Sequence, residues 1–166
     1  MSRSLRIDKR GKAGCGPLRE DRPDVWRSAF QALIRRAGLL QSEGTPCGMP
    51  ISVSHAHALL ELSRQTDLTQ NGLAELLGLT KSAVSRLVER LERLGHVSRR
   101  DDSGDRRARR LRLTAKGSRL AEKVNARSLR RFSILLDGIP RARRSAVLES
   151  LELLREALPA PHGKAS

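Results

Sequence analysis

Apolar residues recur along this chain at two spacings, one helical and one alternating. From Asp24 onward, Trp26, Phe30, Leu33, Ala37 and Leu40 fall on one face at helical spacing, which predicts an amphipathic helix that Gly44 and Pro46 end. A second helix is expected from a cap at about Ser54, with Ala58, Leu59 and Leu62 inward. The stretch TDLTQNGLAELLGLTKSAVSRLVERLERLG then predicts a short helix, a tight break at Gly78, and a longer helix capped by Thr80 and ended by Gly95. Here the period changes. His96 to Arg100 and Arg109 to Leu113 alternate like strands, with Val97, Leu111 and Leu113 inward, and DDSGDRRA between them is rich in turn formers. A β-hairpin with a basic tip follows. Thr114 caps a long helix to about Asp137, which Gly138 and Pro140 break, and a last helix from about Arg141 to Leu158 carries Val147, Leu151, Leu154 and Leu158 along one face. Residues 1–22 show no periodicity and read as a basic arm.

Composition narrows the function class. A chain of 166 residues, 38% hydrophobic and 31% charged, has material for one or two compact units. Its formal net charge of +15 favours polyanions, with nucleic acid ahead of anionic membrane. No run of 18 apolar residues occurs, and MSRSLRIDKRGKAGCG lacks the apolar stretch of a signal peptide, so a soluble cytoplasmic protein is expected. Two cysteines, Cys15 and Cys47, are too few and too differently placed for a disulfide framework or a four-ligand zinc site. Aromatic residues are only 2%, which argues against recognition of single strands by base stacking and favours duplex.

Spacing supplies the candidate chemistry. Ala74 precedes Gly78 by four positions and Val84 follows it by six. In a helix-turn-helix the small residue lets two helices approach, the glycine takes the turn and the later β-branched residue fills the shared core. With Val84, Leu87, Val88, Leu91 and Leu94 as the buried stripe, Ser82, Arg86, Glu89 and Arg93 lie opposite and Ser85 at the flank. Short hydroxyls and an arginine near a helix start suit a major-groove reader. An ordinary helical hairpin with a solvated face shows the same pattern, and it is the adjoining hairpin that favours DNA. A wing beside a helix-turn-helix sets its tip at the minor groove, whose narrow electronegative channel attracts arginine. Asp105, two positions before Arg107, can hold that guanidinium in one pose. For Arg99, Arg100, Arg106, Arg109, Arg110 and Arg112, exposed strand positions or phosphate contacts account for most.

LTKSAVSRLVERLERLGHVSRR followed by DRRARRLRLTAKG resembles the MarR family of bacterial transcription factors, both in the recognition helix and in the DxR wing followed by LTxxG. The resemblance covers roughly Asp24 to Leu158 and is most specific from Asp105 to Gly117. It implies a mainly α fold with a small β-hairpin wing: a winged helix-turn-helix whose N- and C-terminal helices form a dimerisation domain. The expected layout is an arm (1–22), first dimerisation helix and turn segment (23–52), DNA-binding domain (53–113), linking and C-terminal helices (114–158) and tail (159–166). A homodimer on a pseudo-palindromic operator is implied. Asp105 and Arg107 match the wing pair, and Thr80, Ser82, Ser85 and Arg86 fall where the family's recognition helix meets DNA. Neighbouring Lys81, Arg93, Arg106 and Arg109 complete the candidate DNA-binding set. Independently, Trp26, Phe30 and Leu33 of the first helix and the apolar face of the last lie outside the winged core and call for a second copy.

Family members release DNA when a small molecule, metal or oxidant binds near the junction of dimer and DNA domains. Cys47, His55 and His57 are the candidate effector or sensor residues at that region. The two histidines stand about 200° apart on a helix and do not easily face one ion together, which leaves a single histidine with Cys47, supplemented from elsewhere. A capping or core histidine and a partly buried thiol is the plainer reading, and no metal site or cofactor is assigned. Cys15 lies in the arm, unlike the family's peroxide-sensing cysteine in the first helix, and His96 reads as a wing-strand residue. No paired carboxylates, phosphate loop or framed nucleophile suggests an enzyme. The expectation is a sequence-specific duplex-binding regulator, a repressor; the alternative is an architectural or nonspecific nucleic-acid-binding protein, for which charge alone suffices.

Overall fold

The computed structural model describes residues 21–40, 44–100 and 110–159. The chain divides into two compact units, residues 1–41 and 42–166. In the first, Pro23 at the opening turn and Asp24 paired with Arg22 (2.7 Å) start helix α1, Pro23–Arg36. It ends earlier than its apolar spacing predicts. Ala37 donates its backbone N–H to the Leu33 carbonyl and Gly38 turns left-handed at φ +71°, so Leu40 lies beyond the helix and Gly44 and Pro46 do not end it.

In the second unit, helices α2 to α5 each begin on a hydroxyl. Helix α2 is Val53–Arg64, capped by Ser52 rather than Ser54, with the His55 N–H donating to the Ser52 Oγ (3.3 Å). Strand β1, Leu68–Thr69, leads into α3, Gln70–Leu77, which Thr69 caps. Thr80 caps α4, Lys81–Arg93, and Thr114 caps α5, Ala115–Asp137. Between these two helices run β2, Val97–Arg100, and β3, Arg110–Leu113. A 3-10 turn, Arg141–Arg143, opens the last helix, α6, Arg144–Ala157, so its α-helical part starts later than expected.

The hairpin supplies two strands of a three-stranded sheet. The strands lie in the order β1-β3-β2, all antiparallel, with Leu68 opposite Leu111 and Val97 opposite Leu113. The sheet closes over a core in which Leu59, Leu73, Val84, Val88, Leu91 and Leu111 are fully buried, drawing on α2, α3, α4 and β3 at once. Burial of each such side chain is worth about 1.5–3 kcal/mol, so this core fixes the second unit's helix-turn-helix as a rigid body. Met49, Ala56 and Val124 form a second cluster where α2 meets α5. Leu94, expected in the buried stripe of α4, is 40% exposed, because the helix ends there and Gly95 turns the chain at φ +70°. Among the described residues, no helix is long and apolar enough to cross a membrane.

Candidate nucleic-acid interface

The turn between α3 and α4 is tied by backbone bonds from Gly78 N–H to Glu75 O (3.2 Å) and from Leu79 N–H to Ala74 O (3.0 Å), with Gly78 left-handed at φ +60°. Ala74 is buried beneath it. That closure orients α4. Val84, Val88 and Leu91 point inward, and Lys81, Ser82, Arg86, Glu89, Arg90 and Arg93 are exposed on the other side. Thr80 is exposed at the helix start, its hydroxyl shared between the Ala83 N–H (3.2 Å) and the Ser82 hydroxyl (3.2 Å). Ser85 is half-buried and donates to the Glu89 carboxylate (3.1 Å). The recognition-helix residues Thr80, Lys81, Ser82, Ser85, Arg86 and Arg93 thus share one element, with only Ser85 turned toward the flank.

The root of the wing is held by its own arginines. Arg112 places Nε and Nη2 at 2.9 and 2.5 Å from the Asp67 Oδ1, and Arg110 donates to the Asp67 carbonyl (3.2 Å). Asp67 stands at φ +67°, the one non-glycine with positive φ among the described residues. Arg99 pairs with Glu92 of α4 (3.3 Å), both half-buried, which joins β2 to the recognition helix. These three guanidiniums anchor the wing to the body. Asp105, Arg106, Arg107 and Arg109, expected at its tip, lie outside the described residues.

The candidate sensor residues go to three different settings. Cys47 is half-buried beside Met49, Ala56 and Val124, its Sγ 3.1 Å from the Thr45 hydroxyl. The surrounding turn is clamped to α5, where Arg127 donates to the Gly48 carbonyl (2.8 Å) and Arg131 to that of Pro46. His57 is exposed on α2. His55 is buried, and its Nε2 lies 3.3 Å from the Nδ1 of His96, so one ring N–H is donated to the other ring's lone pair. His96 precedes β2 and is buried as well, which corrects its reading as a strand residue. Its role in the core was hidden in the sequence because its partner is 41 positions away. Among the described residues, no group of three or more His, Cys, Asp or Glu is placed to hold a metal.

Burial first, then the charges of His96 and Arg90, lowers the pKa of His55 from 6.5 to about 4; burial and then Lys116 lower that of His96. A proton therefore binds the unfolded chain more readily, and the stability contributed by the neutral pair is whole above pH 6.5 and lost as the pH falls toward 4. Imidazole resonances followed by NMR should show His55 still neutral at pH 5.5. Titration of His55 near pH 6.5 would contradict the buried pair.

One cleft of about 640 Å³ opens between the end of α2, β3 and α5. Leu60, Leu111 and Ala121 give it an apolar floor, and Arg64, Asp67 and Arg112 stand in its wall.

An α3-turn-α4 pair sealed by an antiparallel three-stranded sheet defines a winged helix-turn-helix protein. A sequence model described as the MarR family matches residues 48–108, the segment holding the helix-turn-helix and most of the wing, and the likeness to that family read from the sequence holds. Solved structures agree on the fold. The chain is 26% identical to a MarR transcriptional regulator from Methanosarcina mazei Go1 over 80% of this chain and 95% of that one, with a TM-score of 0.64. It is 24% identical to PcaV of Streptomyces coelicolor, solved with its natural ligand (86% and 98% covered, TM-score 0.62). It is 22% identical to FabT of Streptococcus pneumoniae, solved with DNA (80% and 92% covered, TM-score 0.62).

Proposed function

We propose that this chain is a sequence-specific duplex-DNA-binding transcriptional regulator of the cytoplasm, a repressor that occupies a pseudo-palindromic operator as a homodimer. The observation that carries the reading is the recognition helix itself: a fully buried Val84, Val88 and Leu91 stripe holds Ser82, Arg86 and Arg93 outward, next to a wing root fixed by Asp67 and Glu92. A rigid rod with a polar outer face beside a basic hairpin suits the wide groove and its narrow neighbour.

Apolar surface supports the dimer. On α1, Trp26, Phe30 and Leu33 are exposed, and so are Leu129, Phe132 and Ile134 on α5 and Leu148, Leu151 and Leu153 on α6. No residue of α1 or α6 is buried. Faces of this kind mark protein interfaces. Effector release is part of the proposal: a small ligand in the cleft would meet Arg112 and Asp67, the pair that anchors β3. The net charge of +15 favours a second reading, a nonspecific architectural protein.

Two arginine variants separate these readings. Arg86→Ala is expected to cost about 1–3 kcal/mol and to relax base preference at one position of each half-site, whereas Arg107→Ala weakens operator binding and leaves helix content and oligomeric state unchanged. Equilibrium binding to operator and to random duplex checks both. An equal loss on every sequence for Arg86→Ala would make it a phosphate contact.

A further inference from the structure

Successive residues of a helix are 100° apart, so Ser82, Arg86, Glu89 and Arg93 span an arc of about 60° on α4. All four are exposed, and Glu89 is the carboxylate among them. In a chain of net charge +15, an acid on the outermost line of the helix proposed to enter the groove is unexpected. The simplest explanation, an ion pair within the helix, does not hold. Arg86, Arg90 and Arg93 all lie within about one turn of Glu89, yet among the described residues no ion pair reaches it. Its Oε1 instead accepts a hydrogen bond from the Ser85 hydroxyl at 3.1 Å. A neutral donor orients the carboxylate and leaves its charge in place.

We propose that Glu89 is a specificity-determining residue that accepts a hydrogen bond from the N4 amino group of a cytosine in the major groove and disfavours sequences lacking that donor. An ionised carboxylate only accepts, so of the base edges in the wide groove it can pair with the amino groups of cytosine and adenine. Cytosine is favoured on chemical grounds. Its amino group neighbours a C–H, whereas that of adenine neighbours the N7 lone pair, which repels the second carboxylate oxygen. Where no donor faces Glu89, its charge is desolvated without a partner and repels nearby phosphates, so wrong sequences are penalised. Ser85 is the positioning residue that holds the acid for this contact.

This inference rests on the chain being a sequence-specific duplex binder. Duplexes selected by the wild-type protein from a pool with a random centre supply the operator. Dissociation constants are then measured at one salt concentration for wild type, Glu89→Ala and Glu89→Gln against operators carrying each of the four base pairs at each half-site position. Wild type should prefer cytosine at one position by about tenfold or more, and Glu89→Ala should reduce that preference to about threefold or less while keeping the others. Glu89→Gln should move the preference toward adenine, which glutamine reads with two hydrogen bonds. Glu89→Ala should also bind random duplex more tightly, since a like charge is removed. Glu89 is exposed, so both variants should retain wild-type circular dichroism. Cytosine preference surviving in Glu89→Ala, or affinity falling equally on all sequences, overturns the role of Glu89 alone. A wild-type protein without any base preference overturns the regulator reading and this inference with it.

Discussion

Gly117→Ala should lower the unfolding free energy by about 3 kcal/mol or more, the upper end of overpacking costs, and so bring thermal unfolding down by about 10 °C. A Cβ at this position would lie 1.9 Å from the His96 carbonyl oxygen and 2.8 Å from its carbon. Both are backbone atoms and cannot swing aside. The first turn of α5 is also fastened to that same stretch: the Thr114 N–H donates to the His96 carbonyl (3.0 Å), and its hydroxyl donates to the Gly95 carbonyl (2.7 Å) and accepts from the Gly117 N–H (3.0 Å). Helix propensity works the other way, since alanine gains about 1 kcal/mol over glycine inside a helix. The steric term wins. Gly95→Ala is the control, because a Cβ there meets nothing within 4 Å and costs only the left-handed φ of +70°, about 1–2 kcal/mol. Urea unfolding of both variants checks the ranking, and a Gly117→Ala protein as stable as wild type would mean that α5 does not abut His96.

Leu151→Asp should yield a folded monomer that binds the operator at least about 100-fold more weakly, because the second half-site contact stops being intramolecular. Leu151 is 51% exposed on α6, in line with Val147 and Leu158. A buried carboxylate in a helix-to-helix interface has no partner, so the proposed dimer would bear the full desolvation of that charge. The single chain pays nothing, since α6 contributes no buried residue to it. Sedimentation equilibrium separates the cases. A Leu151→Asp protein that remains a dimer would remove α6 from the proposed interface, and an unfolded one would show that the residue serves the single chain.

What the sequence disclosed follows from how far each signal reaches. Thr80, Thr114, Gly78 and Gly95 mark their helix ends through bonds made within a few residues, so their roles are visible locally. The stripe Val84, Val88 and Leu91 is likewise a property of one helix. Near misses came where two local signals compete. Ser52 and Ser54 offer similar hydroxyls 3.4 Å apart, and only the path of the chain selects Ser52 as the cap. Apolar spacing carries on to Leu40 although Gly38 has already turned the backbone. Illegible altogether were the contacts between distant positions. Strand β1 is two residues long and exists because Leu68 meets Leu111 on β3. Asp67 holds Arg112 across 45 positions, and His55 holds His96 across 41. In the candidate interface, the residue types on α4 were readable, while the engagement of Arg99, Arg110 and Arg112 in anchoring the wing needed the fold.

The proposed function requires the reading of base sequence in duplex DNA by the outer face of α4 and the wing. Its most direct test is the ratio of dissociation constants for the selected operator and for random duplex of the same length, measured at one fixed salt concentration. A ratio of about 10³ or more in favour of the operator is expected. Equal binding to both, with affinity set by salt alone, would contradict it and leave a protein that holds DNA by charge.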